Sequence, residues 1–337
     1  MLYVTTREKY DAYTARRTLV SDRGPDGGAY LPFRMPYFTP EEIAELNNMT
    51  FGQCVARLLN VFFSAHLSGW DVEFCVGRYP VKMAAMSQKV LVAELWRNLD
   101  GSYSKMERNL AARICGCGQS EVRITSWLRI AIRIAALFGL YSELMRMDLT
   151  DSAHPIDIAA ADGDFTLPMA VWYAREMGLP VNTLICSCRE GSTAWELLHQ
   201  GQCRVQAAAA VTGELERLIY GTMGVDEALR FSQIADKAGI YTLRPGTGDQ
   251  LRRGIFSTVV SRDRQEAVIP SVYRTNAYIL APDTAMGYAG LMDYRARTGE
   301  SRCALLLADC SPAEDAEMAA SALKMTVSEL KTKLDQA

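Results

Sequence analysis

The sequence is poor in the residues that build metal sites. It has only three histidines, and none of its nine cysteines stands in a C-x-x-C spacing. A structural zinc site needs four converging Cys or His ligands, so we expect no metal, and the pairs Cys115/Cys117 and Cys186/Cys188 are weak candidates. An odd number of cysteines without a framework spacing indicates reduced thiols, as in a cytoplasm, rather than disulfides.

The sequence also lacks a charge imbalance and a long apolar run. A net charge of -3, with Lys and Arg scattered along the chain, gives no reason to expect nucleic acid or an anionic membrane surface as a partner. The most apolar run, residues 130–140, is interrupted by Arg133 and is too short to span a bilayer. The first residues show no basic region followed by an apolar stretch, so we expect no secretory signal and a cytoplasmic location.

The features that are present indicate a globular α/β protein. A length of 337 residues with 49% hydrophobic content supports a core for one large domain or two ordinary ones. Apolar strand patterns alternate with helical patterns from residue 90 onward, which predicts an open, largely parallel sheet flanked by helices. Residues 1–87 predict a small N-terminal α+β domain, in which Thr39, Pro40 and Glu42 open a helix. Residues 88–337 form the predicted large domain.

Residues 155–181 predict the central unit, a strand, a loop and a helix. The loop at the carboxyl end of a parallel strand, opening onto a helix N-terminus, is where α/β proteins usually hold anionic ligands. Here it carries Asp162 and Asp164, which accept the same hydrogen bonds as an anion and would repel one. The simpler interpretation makes Asp164 or Thr166 the helix cap and Asp162 a turn residue. The alternative is a site for a cation, an amine or an altered ligand.

A second aspartate loop follows the apolar strand predicted at residues 303–309. It begins at Asp309, which is followed by Cys310, Ser311 and Pro312. If the strands before Asp162 and Asp309 are neighbours in the sheet, both loops face one crevice.

Several stretches of the chain carry family motifs in the same order as threonine synthase, the pyridoxal-phosphate (PLP) enzyme of fold type II, in its microbial form with an N-terminal domain. They are Y-V-T-T-R at 3–7, G-P-D-G-G-A-Y-L-P at 24–32, E-L-W at 94–96, S-W-L-R-I at 126–130, G-L-P-V at 178–181 with L-I-C at 184–186, E-L-E-R-L at 214–218, D-T-A at 283–285 and D-C-S-P-A at 309–313. The sequence resembles that family over most of its length, and the motif at 24–32 is the most specific.

The resemblance implies a cofactor site, and this chain departs from it. Allowing a one-residue shift, Lys105 corresponds to the family's Schiff-base lysine. The family's phosphate cup corresponds to Asp162, Gly163, Asp164, Phe165 and Thr166, and the residue facing the pyridine nitrogen, a threonine in the family, is Asp309. Acids in the cup predict a low affinity for phosphate, and a carboxylate at the ring nitrogen favours different PLP chemistry. We therefore expect that the protein binds no cofactor. If it does bind one, we expect that cofactor to be PLP.

The resemblance also implies a missing lobe. Between the lysine region and the S-W-L-R-I helix the family has a small mobile domain that holds substrate, and here only residues 106–125 remain. Without it, nothing closes over the cofactor and excludes water. We expect a threonine synthase-like protein that is inactive in threonine synthesis and acts as a binding or partner subunit. The surface that the lobe once covered should serve self-association or a protein partner.

Two alternatives leave open whether the protein is an enzyme. One is a PLP-dependent lyase with an altered substrate, in which Lys105 forms the Schiff base. The other is small-molecule or cation binding at a crevice lined by Asp162, Asp164 and Asp309.

Overall fold

The computed structural model describes residues 1–76, 81–96, 103–151 and 153–335, except for the side chains of Lys9 and of residues 103–105. The strands are β1 Leu2–Thr5, β2 Glu8–Thr14, β3 Tyr30–Pro32, β4 Lys82–Met86, β5 Val90–Glu94, β6 Ile156–Ala161, β7 Val181–Cys188, β8 Gln202–Arg204, β9 Ile240–Thr242, β10 Ile255–Val259 and β11 Ala304–Ala308.

The helices alternate with these strands along most of the chain. They are α1 Ala15–Val20, α2 Pro40–Glu45, α3 Phe51–Phe63, α4 Gly69–Val76, α5 Tyr103–Cys115, α6 Ser126–Arg146, α7 Thr166–Glu176, α8 Thr193–Trp195 with a wider turn at Glu196–Gln200, α9 Ala210–Met223, α10 Val225–Ala235, α11 Gly248–Arg252, α12 Arg262–Asn276, α13 Pro282–Thr298, α14 Ala316–Leu323 and α15 Val327–Asp335. None of the described helices is long and apolar enough to cross a bilayer.

The central sheet has six strands in the order β10-β7-β6-β11-β5-β4. All neighbouring pairs are parallel except β4 and β5 at one edge. Strand β6 is buried from Ile156 to Ala160 because short apolar residues fit between helices on both faces of a parallel sheet. The predicted α/β fold with a largely parallel sheet is confirmed.

Helix α6 joins the N-terminal elements to the sheet. Trp127 near its start is 1% exposed and makes edge-on ring contacts with Tyr3, Phe62 and Tyr173, at centroid distances of 6.0, 5.8 and 5.6 Å. Tyr3 lies in the antiparallel sheet β2-β1-β3 and Phe62 in α3. One continuous hydrophobic core therefore runs from the N-terminal elements to the sheet, and it fixes the position of α6.

The N-terminal part matches the sequence expectation in its local structure. The Thr39 side chain accepts from the Glu42 N–H, and Glu42 caps the Thr39 N–H in return, which is the capping box that the sequence predicts. Strand β4, which precedes the expected boundary at residue 87, pairs with β5 in the central sheet. The division at residue 87 stays a prediction.

Candidate functional site

The two aspartate loops lie side by side at the carboxyl edge of the sheet. Strand β6 pairs in parallel with β11, with Ile158 opposite Leu305 and Ala159 opposite Leu306. The loops that follow these strands contain Asp162–Phe165 and Asp309, and they are therefore neighbours, an arrangement that the sequence left open. They face α6, whose arginines contact both loops.

Arg133 of α6 links the two loops to α5. Its Nη1 donates to Thr166 Oγ1 at 2.6 Å, and its Nη2 lies 3.2 Å from Asp309 Oδ2. Its Nε donates to Glu107 Oε1 at 3.1 Å. Because the Arg133 side chain is only 12% exposed, these bonds are shielded from water. One guanidinium therefore connects α5, the start of α7 and the loop after β11.

Arg129, one turn earlier on α6, continues this network. Its Nη1 donates to Asp164 Oδ2 at 3.4 Å, and its Nε lies 3.4 Å from Glu107 Oε2. The other oxygen of Asp164 accepts from the Thr166 N–H at 3.0 Å and from the Thr166 hydroxyl at 2.5 Å. The N-cap of α7 is Phe165, which has no side-chain cap bond, so Asp164, one residue earlier, holds the first N–H of the helix in a local Asx turn rather than as the N-cap that the sequence offered.

Asp162 accepts hydrogen bonds from other backbone N–H groups in and next to the loop. Its Oδ1 accepts from the Gly163 N–H at 3.0 Å and its Oδ2 from the Arg189 N–H at 3.3 Å, while its carbonyl accepts from the Phe165 N–H at 2.6 Å. Gly163 and Phe165 both have positive φ, +47° and +66°, which folds the loop back onto these acceptors. Asp162 is the turn residue that the sequence predicts.

The carboxyl groups at this edge of the sheet differ in the direction in which their pKa values are shifted. Burial raises the pKa of Asp164, but the Thr166 hydroxyl and N–H together with the two arginines outweigh burial and lower it overall. Burial raises the pKa of Glu107 and of Asp309, although Arg133 opposes the rise in both. Burial also raises the pKa of Asp162. Asp164 is therefore the carboxylate that the site holds most firmly in the ionised form.

These residues do not fit the phosphate of PLP. A phosphate at the N-terminus of α7 would need the N–H groups that Asp162 and Asp164 already occupy. It would also meet the negative charge of Asp164, which the site holds ionised. Lys105 is the third residue of α5, but its side chain lies outside the described ones, so its predicted role is untested. In the described part of the chain, no three His, Cys, Asp or Glu side chains are grouped to hold a metal ion.

The sequence analysis missed Glu107, Arg129 and Arg133 as members of the site. The signal was present in part, since Arg129 and Arg133 are four residues apart on a predicted helix and so share one face. Nothing in the local sequence showed that this face meets the two aspartate loops.

A family model and several curated proteins match parts of this chain. The family model "Threonine synthase N terminus" matches residues 2–78. Human "Threonine synthase-like 1" is 20% identical over 181 residues, covering 50% of this chain and 24% of that protein, and the mouse protein of that name is 21% identical over 180 residues with the same coverage. The chain thus matches about a quarter of the length of these relatives.

Solved threonine synthases share the fold. The PLP-bound enzyme from Brucella melitensis superposes with a TM-score of 0.81 at 17% identity, over 96% of this chain and 91% of that chain. The yeast enzyme gives a TM-score of 0.78 at 14% identity, over 96% and 90%. At such identities the structural likeness shows the fold alone. With the family-model match, it confirms the predicted resemblance to threonine synthases.

Proposed function

We propose that this threonine synthase-like protein does not catalyse threonine synthesis and acts as a binding or partner subunit. The observation that carries the proposal is the position of Asp164, whose carboxylate accepts the first N–H of α7 where the family's cup holds phosphate and is paired with Arg129. Arg133, which is also near the cup, is engaged by Glu107 and Asp309. Arg129 and Arg133 are both paired with carboxylates of the chain, so neither is available to bind an anionic cofactor.

An exposed aromatic pair supports the partner role. Trp70 and Phe74, one turn apart on α4, are 81% and 91% exposed. Phe74 borders a groove of about 430 Å³ that is also lined by Ala112 and Cys117, in the segment where the resemblance implies that the family's small domain is missing. Large exposed aromatic side chains next to an open groove are typical of an interaction surface. We expect a second copy of the chain to cover this surface.

The proposal is tested by purifying the protein from cells supplied with pyridoxine. We expect no visible absorption band of a PLP aldimine, no PLP retained on Lys105 after borohydride reduction, and no threonine formation. A trapped adduct that disappears in Lys105→Ala would contradict the proposal and favour a PLP-dependent lyase with an altered substrate.

We also propose a cytoplasmic location. All nine cysteines are free thiols in the structure, including the neighbouring Cys186 and Cys188, whose sulfur atoms are 3.7 Å apart. Thiols this close remain reduced in a reducing compartment. Thiol titration of protein unfolded immediately after cell lysis should give nine free groups. A lower count would oppose this location.

A further inference from the structure

A cleft of about 390 Å³ lies beside the Asp164 network. Its walls come from the turn at residues 22–29, the start of α6 and the start of α9. Three of its side chains are arginines and three are carboxylates, but most of these pair with one another. Glu214 accepts from Arg217 Nη1 at 2.8 Å and from the Ser126 hydroxyl at 2.5 Å. The hydrogen-bond donors of the cleft that have no acceptor among the described residues indicate which ligand it can bind.

The first such group is the N-terminus of α9. This helix has 14 residues and begins after Ala209, which offers no side-chain cap, and its first turn contains no acid. Residues 207–210 are all alanine and line the cleft. By contrast, Thr50, Thr125 and Ser261 cap α3, α6 and α12 with their side chains. The Thr212 N–H donates to the Ala209 carbonyl at 3.0 Å, so the N–H groups of Ala210 and Val211 are the ones that lie at the helix start without a side-chain acceptor.

The second group is Arg217, which is 1% exposed and lines the same cleft. Its Nε donates to the Tyr30 carbonyl at 3.0 Å, and its Nη1 donates to Ser126 and Glu214. Its Nη2 has no hydrogen-bond partner among the described residues. A buried guanidinium nitrogen without an acceptor is unfavourable, and an anionic oxygen in the cleft would supply one.

We propose that this cleft binds a small molecule through one carboxylate group, held by the N-terminus of α9 and by Arg217. A carboxylate fits better than a phosphate dianion because Asp22, Asp164 and Glu214 also line the cleft and repel a second negative charge. The alanines and Ile124 form an apolar wall, which suits a ligand with a short hydrocarbon body. The cleft shares Asp164 and Thr166 with the cup at α7, but its proposed ligand is held by residues outside the cup, and the proposal does not rest on the loss of threonine synthesis.

The test is a titration of the full chain with butyrate, acetate and inorganic phosphate at pH 7, followed by amide NMR shifts. We expect saturable shifts at residues 208–211, with butyrate binding more tightly than acetate or phosphate. Ala209→Asp places a carboxylate at the cap of α9, so it should weaken butyrate binding at least tenfold and raise the melting temperature of the free protein. Ala153→Asp, which adds the same charge at an exposed loop, should leave butyrate binding unchanged.

Several results would overturn the proposal. They are the absence of saturable shifts with butyrate in the wild type, tighter binding of phosphate than of butyrate, and equal butyrate binding by Ala209→Asp and the wild type. If Ala209→Asp does not fold, Ala208→Asp serves as the second capping variant, since Ala208 is exposed at the same helix start. The PLP measurement reports on the cup and Lys105, whereas these outcomes report on residues 208–211, so failure of one proposal can be distinguished from failure of the other.

Discussion

Asp164 stands at the position where an α/β protein would bind an anion at a helix N-terminus. Its carboxylate accepts the Thr166 N–H and hydroxyl and lies within reach of Arg129. A permanently attached carboxylate loses no translational freedom on binding, whereas a free anion does. The side chain therefore competes with a phosphate for these hydrogen bonds and also opposes it by its charge.

We predict that Asp164→Ala lowers the free energy of unfolding by about 1 kcal/mol, the usual net contribution of a hydrogen bond to stability. Because the pKa of Asp164 is lowered from its ordinary 3.8, its stabilising contribution is present above pH 3.8 and is lost as the pH falls through the lower value. Urea denaturation at pH 7 and at pH 5 should show the same loss. Asp164→Asn keeps an oxygen that can accept the Thr166 N–H and should lose less; an equal loss would contradict this hydrogen-bonding role.

Glu107 gives the opposite dependence on pH. Its pKa is raised by burial from its ordinary 4.5, so its contribution to stability is present below pH 4.5 and is lost as the pH rises through the folded-state value. We predict that the unfolding free energy of the wild type falls more steeply above pH 4.5 than that of Glu107→Gln. Glu190→Gln, at an exposed position, should keep the wild-type slope. Parallel curves for all three proteins would refute this prediction.

At the scale of elements, the strands were predictable and their partners were not. The apolar run at residues 156–160 indicates a buried strand, and the acids after it indicate a loop, because both signals lie in adjacent residues. The contact between Arg133 and Asp309 joins α6 to the end of β11 and depends on the order of strands in the sheet. That order results from packing of the whole chain, which no local pattern contains.

Strands β8 and β9 illustrate the same limit. Each has three residues, and they pair only with each other, Cys203 opposite Tyr241, although α9 and α10 lie between them in the chain. Three residues are too few to show an alternating pattern. The pair was therefore absent from the sequence prediction.

The exposed aromatic residues of α4 allow a test of self-association. Trp70→Ser with Phe74→Ser should weaken self-association, because it removes the exposed aromatic area that a second copy would cover. The unfolding free energy should change by no more than about 0.5 kcal/mol, as for other exposed positions. Light scattering coupled to chromatography across a range of concentrations measures the association. Tyr10→Ser, at an aromatic residue 90% exposed on β2, is the matched control.

The outcome of that measurement decides between two kinds of partner. A wild-type protein that remains monomeric at all concentrations would contradict self-association and would direct the search to a different protein partner. Equal association by the double variant and the wild type would show that another surface joins the copies.

At the scale of the whole molecule, the chain has the fold of solved threonine synthases together with its own contacts at the edge of the sheet. The fold survives because it depends on the buried strands and on the core around Trp127, neither of which requires a cofactor. The motifs at residues 24–32 and 126–130 made the family recognisable from sequence. Function does not follow from that fold, since the network of Glu107, Arg129 and Arg133 occupies the edge of the sheet with contacts of the chain's own.

The most direct measurement of the central claim compares the binding of PLP with that of pyridoxal, which lacks the phosphate, by equilibrium dialysis against the full chain at pH 7. If carboxylates have replaced the phosphate cup, PLP should bind no more tightly than pyridoxal. Binding of PLP at least a hundredfold tighter than pyridoxal would mean that the loop after β6 still holds a phosphate, and it would contradict the account.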